Sequence, residues 1–300
     1  MMTTYDMVHR TLYEYSDPVP ICQNELRMRP RVSPDLRCDH CQIEIDPIPE
    51  TLTSYVDYFG NEVDSFAIES PHQALRVSVV SRVAVRSRDD RDLGDGPDWR
   101  DVADQVRRGS SETHWTAGEF TYPSRRIDVH DQFSEFAQKS FGSTPRLLEA
   151  TARLTSQIHE TFRYDTTATG VDTSTEQAFE LKAGVCQDFA HVQIACLRSL
   201  GIPARYVSGY LRTLPPPGKP RLVGADQSHA WVSVYAGAEL GWVDYDPTNA
   251  CRTSSDHIPV CIGRDYDDIS PMRGIVLGGG TTILKVSVDV APVPDTSATP

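Results

Sequence analysis

The sequence predicts an α+β protein in which an all-β region precedes a mixed region of helices and strands. Three observations carry this. Residues 1 to about 86 hold short β-branched and aromatic runs broken by turn residues, with no long stretch of helical period. Two helix starts follow, at Thr144-Pro145 and at Cys186. Strand-like runs resume after Pro203 and recur to Val290. Strands first and helices later is the order of an α+β fold, not of alternating βαβ units.

Taken in order, residues 8–15 carry aromatics and β-branched residues in partial alternation, and Asp17-Pro18 is read as ending that run. Residues 42–45, 51–58, 63–68 and 75–85 are further strand candidates. Phe59-Gly60-Asn61 is read as a hairpin turn, because Gly and Asn tolerate positive φ. Residues 86–111 are crowded with Arg and Asp and read as a solvated connection holding one short helix at 99–106. The boundary is placed near 112, giving a β-rich unit over 1–112, a second unit over 113–290 and a tail over 291–300.

Thr144 is read as an N-cap with Pro145 at the first helical position, and Leu147, Leu148, Leu154, Ile158 and Phe162 recur at helical spacing. The next helix begins at Cys186 and buries Phe189, Ala190, Ile194, Leu197 and Leu200. Gly201 can close it in the left-handed region, and Pro203 stops its continuation. Residues 204–211 read as a strand and Pro215-Pro216-Pro217-Gly218 as a loop. Residues 229–235 and 241–245 read as a paired hairpin. Gly278-Gly279-Gly280 reads as a hairpin turn before a last strand at 282–290, and the Pro/Ser/Thr-rich tail from Ala291 is expected to be disordered.

Three hundred residues suffice for one large domain or two ordinary ones. Hydrophobic content of 39% and charged content of 24% are those of a soluble globular protein. A net charge of −13 argues against nucleic acid or an anionic membrane surface as partner. No apolar run approaches the ~18 residues that would span a bilayer. The opening residues lack the basic and continuous apolar regions of a secretory signal, so a cytoplasmic location is expected. Seven cysteines, an odd number spread over a long chain, fit reduced thiols better than a disulfide framework.

Cysteine, histidine and aspartate in that chain order can form a nucleophile, its base and the group that orients the base. Cys186 falls in the first turn of its helix, where unpaired N–H groups and the dipole favour a thiolate and can hold an oxyanion. Alone, such a cysteine is more often a small buried hydrophobe. The hairpin adds partners. If His229 lies opposite Asp246, Ala236 pairs with Glu239 and Gly237-Ala238 forms a two-residue turn of type II′. Imidazole and carboxylate then share one face at roughly 5 Å between Cβ atoms. Asp244 points to the same face, would oppose Trp231 and is the rival that a register shift of two would favour, while the plain alternative for either aspartate is a solvated strand end beside an Asp-Pro turn.

Other residues carry less. His191 lies five positions after Cys186, off the cysteine's helical face, and is expected to pack. Cys196 is expected in the core. Cys38-Asp39-His40-Cys41 looks like half a zinc site, but Cys251 and Cys261 do not supply a second close pair, so no metal site is read. The glycines at 278–280 lack nucleotide-binding spacing.

With these residues in hand, the chain resembles the bacterial transglutaminase-like proteins across nearly its full length. GVCQDFAHVQIACLRSLGIPARYVSGYL, then SHAWVSVY and GWVDYDPTN, carry the core match. HRTLYEYSDPV, NELRMRPR, DYFGNEVDSFAI, PHQALRV and, near the end, GRDYDDISPMRGIVLGGG extend it. The resemblance implies a papain-like α+β core of helices packed on an antiparallel sheet, following an all-β N-terminal domain. It implies a triad of Cys186 as nucleophile, His229 as base and Asp246, not Asp244, as orienter. Tyr164 matches a recurrent aromatic and is a candidate for the oxyanion site or the cleft.

The expected activity is cysteine-dependent acyl transfer from a glutamine carboxamide or peptide amide through a thioester on Cys186. The alternatives are a cysteine peptidase or amidase with the same triad, and a noncatalytic peptide-binding module on a retained fold. The expected partner is a protein or peptide substrate. No cofactor or metal is called for, and no EF-hand-like loop is present in the sequence.

Overall fold

The computed structural model describes residues 2–86, 96–213 and 227–294. The first six strands are β1 (Met2–Val19), β2 (Ile21–Leu26), β3 (Leu36–Asp46), β4 (Thr51–Val56), β5 (Glu62–Ile68) and β6 (His72–Arg86). Helices α1 (Trp99–Arg108), α2 (Glu112–Gly118), α3 (Asp131–Phe141) and α4 (Leu147–Thr161) follow. Next come β7 (Arg163–Tyr164), α5 (Thr175–Leu181), β8 (Ala183–Gly184) and α6 (Cys186–Ser199). The chain then runs through β9 (Ala204–Leu211), β10 (Gln227–Tyr235), β11 (Trp242–Asp246), β12 (Cys251–Arg252) and β13 (His257–Gly263). It closes with β14 (Met272–Leu277) and β15 (Thr282–Pro292).

The α+β expectation holds. Two four-stranded antiparallel sheets, ordered β15-β1-β6-β3 and β14-β2-β5-β4, share a core of Val19, Cys22, Leu26, Phe66, Ile68, Leu75, Val77 and Val79. Alternation places these side chains inward and their neighbours outward. The β4–β5 turn falls at 57–61 as read, with Gly60 at φ +76°. β1 does not stop at Asp17-Pro18. Its pairing with β6 breaks after Glu14 and resumes at Val19↔His72, so the proline, which has no N–H to give, sits in an irregularity of a longer strand.

A five-stranded sheet, β12-β11-β10-β9-β13, carries the second region. α6 packs against β10 and α3 and is buried from Gln187 to Arg198, as a helix enclosed on all sides must be. Gly201 takes φ +75° just after it, as expected. α4 begins at Leu147, later than Pro145, but the Thr144 hydroxyl still accepts from the Arg146 N–H (3.2 Å) and donates to Glu149 (2.7 Å). α2, α3 and α5 escape the reading. α3 nonetheless spaces its buried Phe133, Ala137 and Phe141 four residues apart.

Three corrections concern the C-terminal segment, grouped by chain order with the region from 113 to 290. β14 pairs with β2, and β15 pairs with β1 over Tyr5↔Pro292 to Tyr15↔Thr282. Residues 272–292 thus complete the N-terminal sheets. Gly278, Gly279 and Gly280 form no hairpin. All three have positive φ and carry the chain from one sheet to the other. Ala291 and Pro292, read as the start of the tail, belong to β15. The rest of that tail from Asp295, part of the Arg/Asp-rich stretch (87–95) and the loop at 214–226, with Pro215 to Gly218, lie outside the described residues.

The two regions share a core. Tyr5, Met7, Val83, Val85, Val288 and Val290 pack into the same cluster as α6 and β10. Asn61, buried in the β4–β5 turn, donates to the Ile262 carbonyl (2.8 Å) and accepts from the Ile262 N–H (2.9 Å), covering the free edge of β13 as a further strand would. Among the described residues no helix is long and apolar enough to cross a membrane.

Candidate active site

The N-terminus of α6 is built by a glycine and an aspartate. Asp188 accepts from the Val185 N–H (2.8 Å) and the Thr169 hydroxyl (2.7 Å), which satisfies an amide that the helix leaves open. Burial raises the Asp188 carboxyl, and those two donors act against the rise. The Asp188 carboxylate occupies the space a Cβ on Gly184 would need, so only glycine fits there. Cys186, half-buried, stands at the first helical position, beside first-turn amides that have no intrahelical acceptor.

The β10–β11 pairing differs from the predicted register. Val232 faces Tyr245 and Ser233 faces Asp244, an offset of two residues, and the turn runs from Ala236 to Gly241. It is not the two-residue turn at Gly237-Ala238. Side chains alternate with period two, so an even slip keeps the same face. His229 and Asp246 become diagonal neighbours, and His229 Nε2 bonds Asp246 Oδ2 at 2.8 Å. Cys186 is the other side chain that acts on this ring, and with Asp246 it favours the charged imidazole. Asp244 turns to the Trp231 indole, accepting from Nε1 at 3.2 Å.

Asp246 is fully buried and receives five donors. Oδ1 takes the Thr248 and Asn249 N–H groups (2.9 and 3.2 Å), which forms the Asp-Pro turn. Oδ2 takes His229, Asn249 Nδ2 (2.6 Å) and His257 Nε2 (3.1 Å). One carboxylate therefore makes both the turn and the histidine contact. Burial alone would raise its proton affinity, but the His229, His257 and Asn249 donors hold it well below the usual carboxylate range. Burial alone would lower His229. Its contacts with Asp246 and Cys186 outweigh that and push it up to about 10. Cys251, opposite Asp246 on β12, is pushed up to about 11 by burial and then by that carboxylate, so it stays a thiol.

Tyr164 is 47% exposed on β7, paired with Gly184 on β8. Burial and the neighbouring Cys186 raise its phenol, which places it beside the nucleophile candidate. His191 is buried and accepts from the Tyr266 N–H through Nε2 at 3.2 Å. Burial lowers it to about 3, so it is a packed, uncharged ring as expected. Cys38, His40 and Cys41 lie on β3, in the N-terminal sheet.

His229, Asp246 and His257 bring ligand-type atoms within 4.8 Å of one another. They do not fit a metal ion. The Ser254 N–H donates to His257 Nδ1 (3.2 Å), so the ring proton is on Nε2, the atom a metal would need bare. Sequence reasoning missed Asn249 and His257. Asn249 was within sight in the GWVDYDPTN segment. His257 lies eleven residues beyond Asp246, and no local pattern points to it.

Residues 5–84 match the bacterial transglutaminase-like N-terminal region, and residues 134–247 match the transglutaminase-like superfamily. An uncharacterised protein of Mycobacterium tuberculosis is 37% identical over 96% of this chain and 92% of its own length. A protein-glutamine gamma-glutamyltransferase of Pseudomonas aeruginosa is 41% identical over 93 residues, 30% of this chain and 14% of that protein. A candidate cysteine protease of Cytophaga hutchinsonii has a TM-score of 0.76 at 22% identity, with 100% of this chain and 93% of that one covered, a likeness of fold.

Proposed function

The chain belongs to the transglutaminase-like superfamily, and from that premise we propose that it is a cysteine acyl-transfer enzyme acting on glutamine carboxamides of protein or peptide chains. The observation that carries the reading is the hydrogen bond from His229 to a buried, ionised Asp246, in a ring that Cys186 also acts on. His229 takes the thiol proton. Sulfur attacks the carboxamide carbon, and the tetrahedral oxyanion lies against the first amides of α6. The imidazolium then gives its proton to the departing ammonia, leaving a thioester. A lysine-like amine resolves it to an isopeptide, and water resolves it to the acid. Asp246 holds the ring and balances its positive charge without taking the proton. Tyr164 lines the cleft beside the thioester.

Cys186→Ala is expected to lose several orders of magnitude in an assay with a glutamine peptide and an amine, because members of a triad act as a unit. Undiminished turnover in that variant rejects the reading. Intact-mass analysis separates the outcomes for the acceptor: ammonia release removes about 17 Da per crosslink, whereas water addition with chain scission marks a peptidase or amidase. A cytoplasmic location belongs to the same proposal, supported by seven unpaired cysteines, and fractionation of the native host tests it.

A further inference from the structure

His257 reaches the site from outside every motif that defines it. It opens β13, the edge strand next to β9, whereas Asp246 ends β11 on the far side of β10. Its ring crosses the sheet end and donates Nε2–H to the same oxygen of Asp246 that His229 binds. Three contacts fix that ring. The Ser254 N–H holds Nδ1 as an acceptor, which sets the tautomer. Trp231 packs edge-on against it, with centroids 5.4 Å apart, and Gly209 leaves the space in which the Trp231 ring lies. Tyr5 and Arg212 both bond Asp256 (2.9 and 3.2 Å), tying the 254–257 turn to β1 and β9.

We propose that His257 is a second positioning histidine, whose fixed Nε2–H donor holds the Asp246 carboxylate ionised and aimed at His229. The proposal rests on the Cys186–His229–Asp246 reading. A buried carboxylate needs donors to stay charged. The backbone amides occupy Oδ1, so on Oδ2, among the described residues, His257 and Asn249 support the anion besides His229. Asn249 belongs to the turn that Asp246 itself makes, whereas His257 is anchored in a different strand. Removing its donor leaves the carboxylate freer to rotate toward the turn amides and away from His229.

The test uses alkylation of Cys186 by iodoacetamide, read by mass spectrometry of the Cys186 peptide over a range of pH, which requires no substrate. In His257→Asn the side-chain oxygen can still accept from Ser254, but nothing reaches Asp246. In His257→Gln the amide nitrogen stands near the position of Nε2 and can donate. H257N is expected to slow alkylation about tenfold at neutral pH and to move the acid limb of the rate–pH profile upward, while H257Q restores both. An H257N profile with the wild-type limb overturns the proposal, whatever its amplitude, and so does an H257Q profile as displaced as that of H257N. If H257N does not fold, H257Q decides alone: a wild-type limb supports the donor role, and a displaced one overturns it. A wild-type Cys186 that reacts no faster than free cysteine would reject the acyl-transfer reading itself, an outcome separate from the variants.

Discussion

Asp246 shows how one side chain can serve a turn and a histidine contact together. Its two oxygens point to different partners, so the bland reading of an Asp-Pro turn and the functional one describe different atoms of the same carboxylate. Asp246→Asn is expected to cost about two to four orders of magnitude in turnover, because an amide offers His229 a donor as readily as an acceptor. Asp244→Asn weakens the Trp231 contact and leaves the Asp246–His229 bond in place. It is expected to lower stability by about 1 kcal/mol in urea unfolding while leaving Cys186 alkylation near wild type. The pair also sets a pH window. His229 is raised from 6.5 to about 10, so its contribution to stability is complete below 6.5 and is lost as pH rises through 10. Asp246 is depressed from 3.8, so its contribution is complete above 3.8 and is lost as pH falls toward its folded value. The stability gap between wild type and D246N is therefore expected to be widest between pH 3.8 and 6.5 and to narrow on both sides, as measured by urea unfolding across pH.

At the scale of elements, the start of α6 and the β10–β11 pair were legible for different reasons. The helix start rests on local chemistry: Gly184 for close approach, Asp188 three residues after Val185, and an apolar face beyond. Gly184→Ala is expected to displace Asp188 and cost about 1 kcal/mol or more in thermal unfolding, with slower alkylation of Cys186 as the second readout. The pairing was read with its turn too short and its register two residues off, yet the facing survived, since only an odd slip would send Asp246 to the other face. The short helices α2, α5 and the two-residue strands β7 and β8 carry too few periodic positions for sequence to mark them. Their positions come from packing.

For the whole molecule, the N-terminal sheets and the five-stranded sheet are one structure. Residues 272–292 return to complete the sheets that the first 86 residues begin, and Asn61 caps the edge of β13, the strand that carries His257. A chain cut to 113–290 should fail to give a cooperative near-UV dichroism melt. It would leave β14 and β15 without partners and strip the cover from β13. A dispersed, cooperatively melting fragment would contradict this. Asn61→Ala, which orphans both backbone groups of Ile262, is expected to lower stability by about 1–3 kcal/mol in urea unfolding.

The sequence by itself determined the order of strands and helices, a cysteine at a helix start, and the family whose motifs hold Cys186, His229 and Asp246. These rest on periodicity, caps and contiguous motifs, all of which are local. Tertiary structure alone decided the register, two residues from the one read, in which His229 meets Asp246 diagonally, that the last strands belong to the first sheets, and that His257 stands beside Asp246. Each of these depends on contacts between residues far apart in the chain, whose energies are set by which surfaces meet and not by any neighbouring residue.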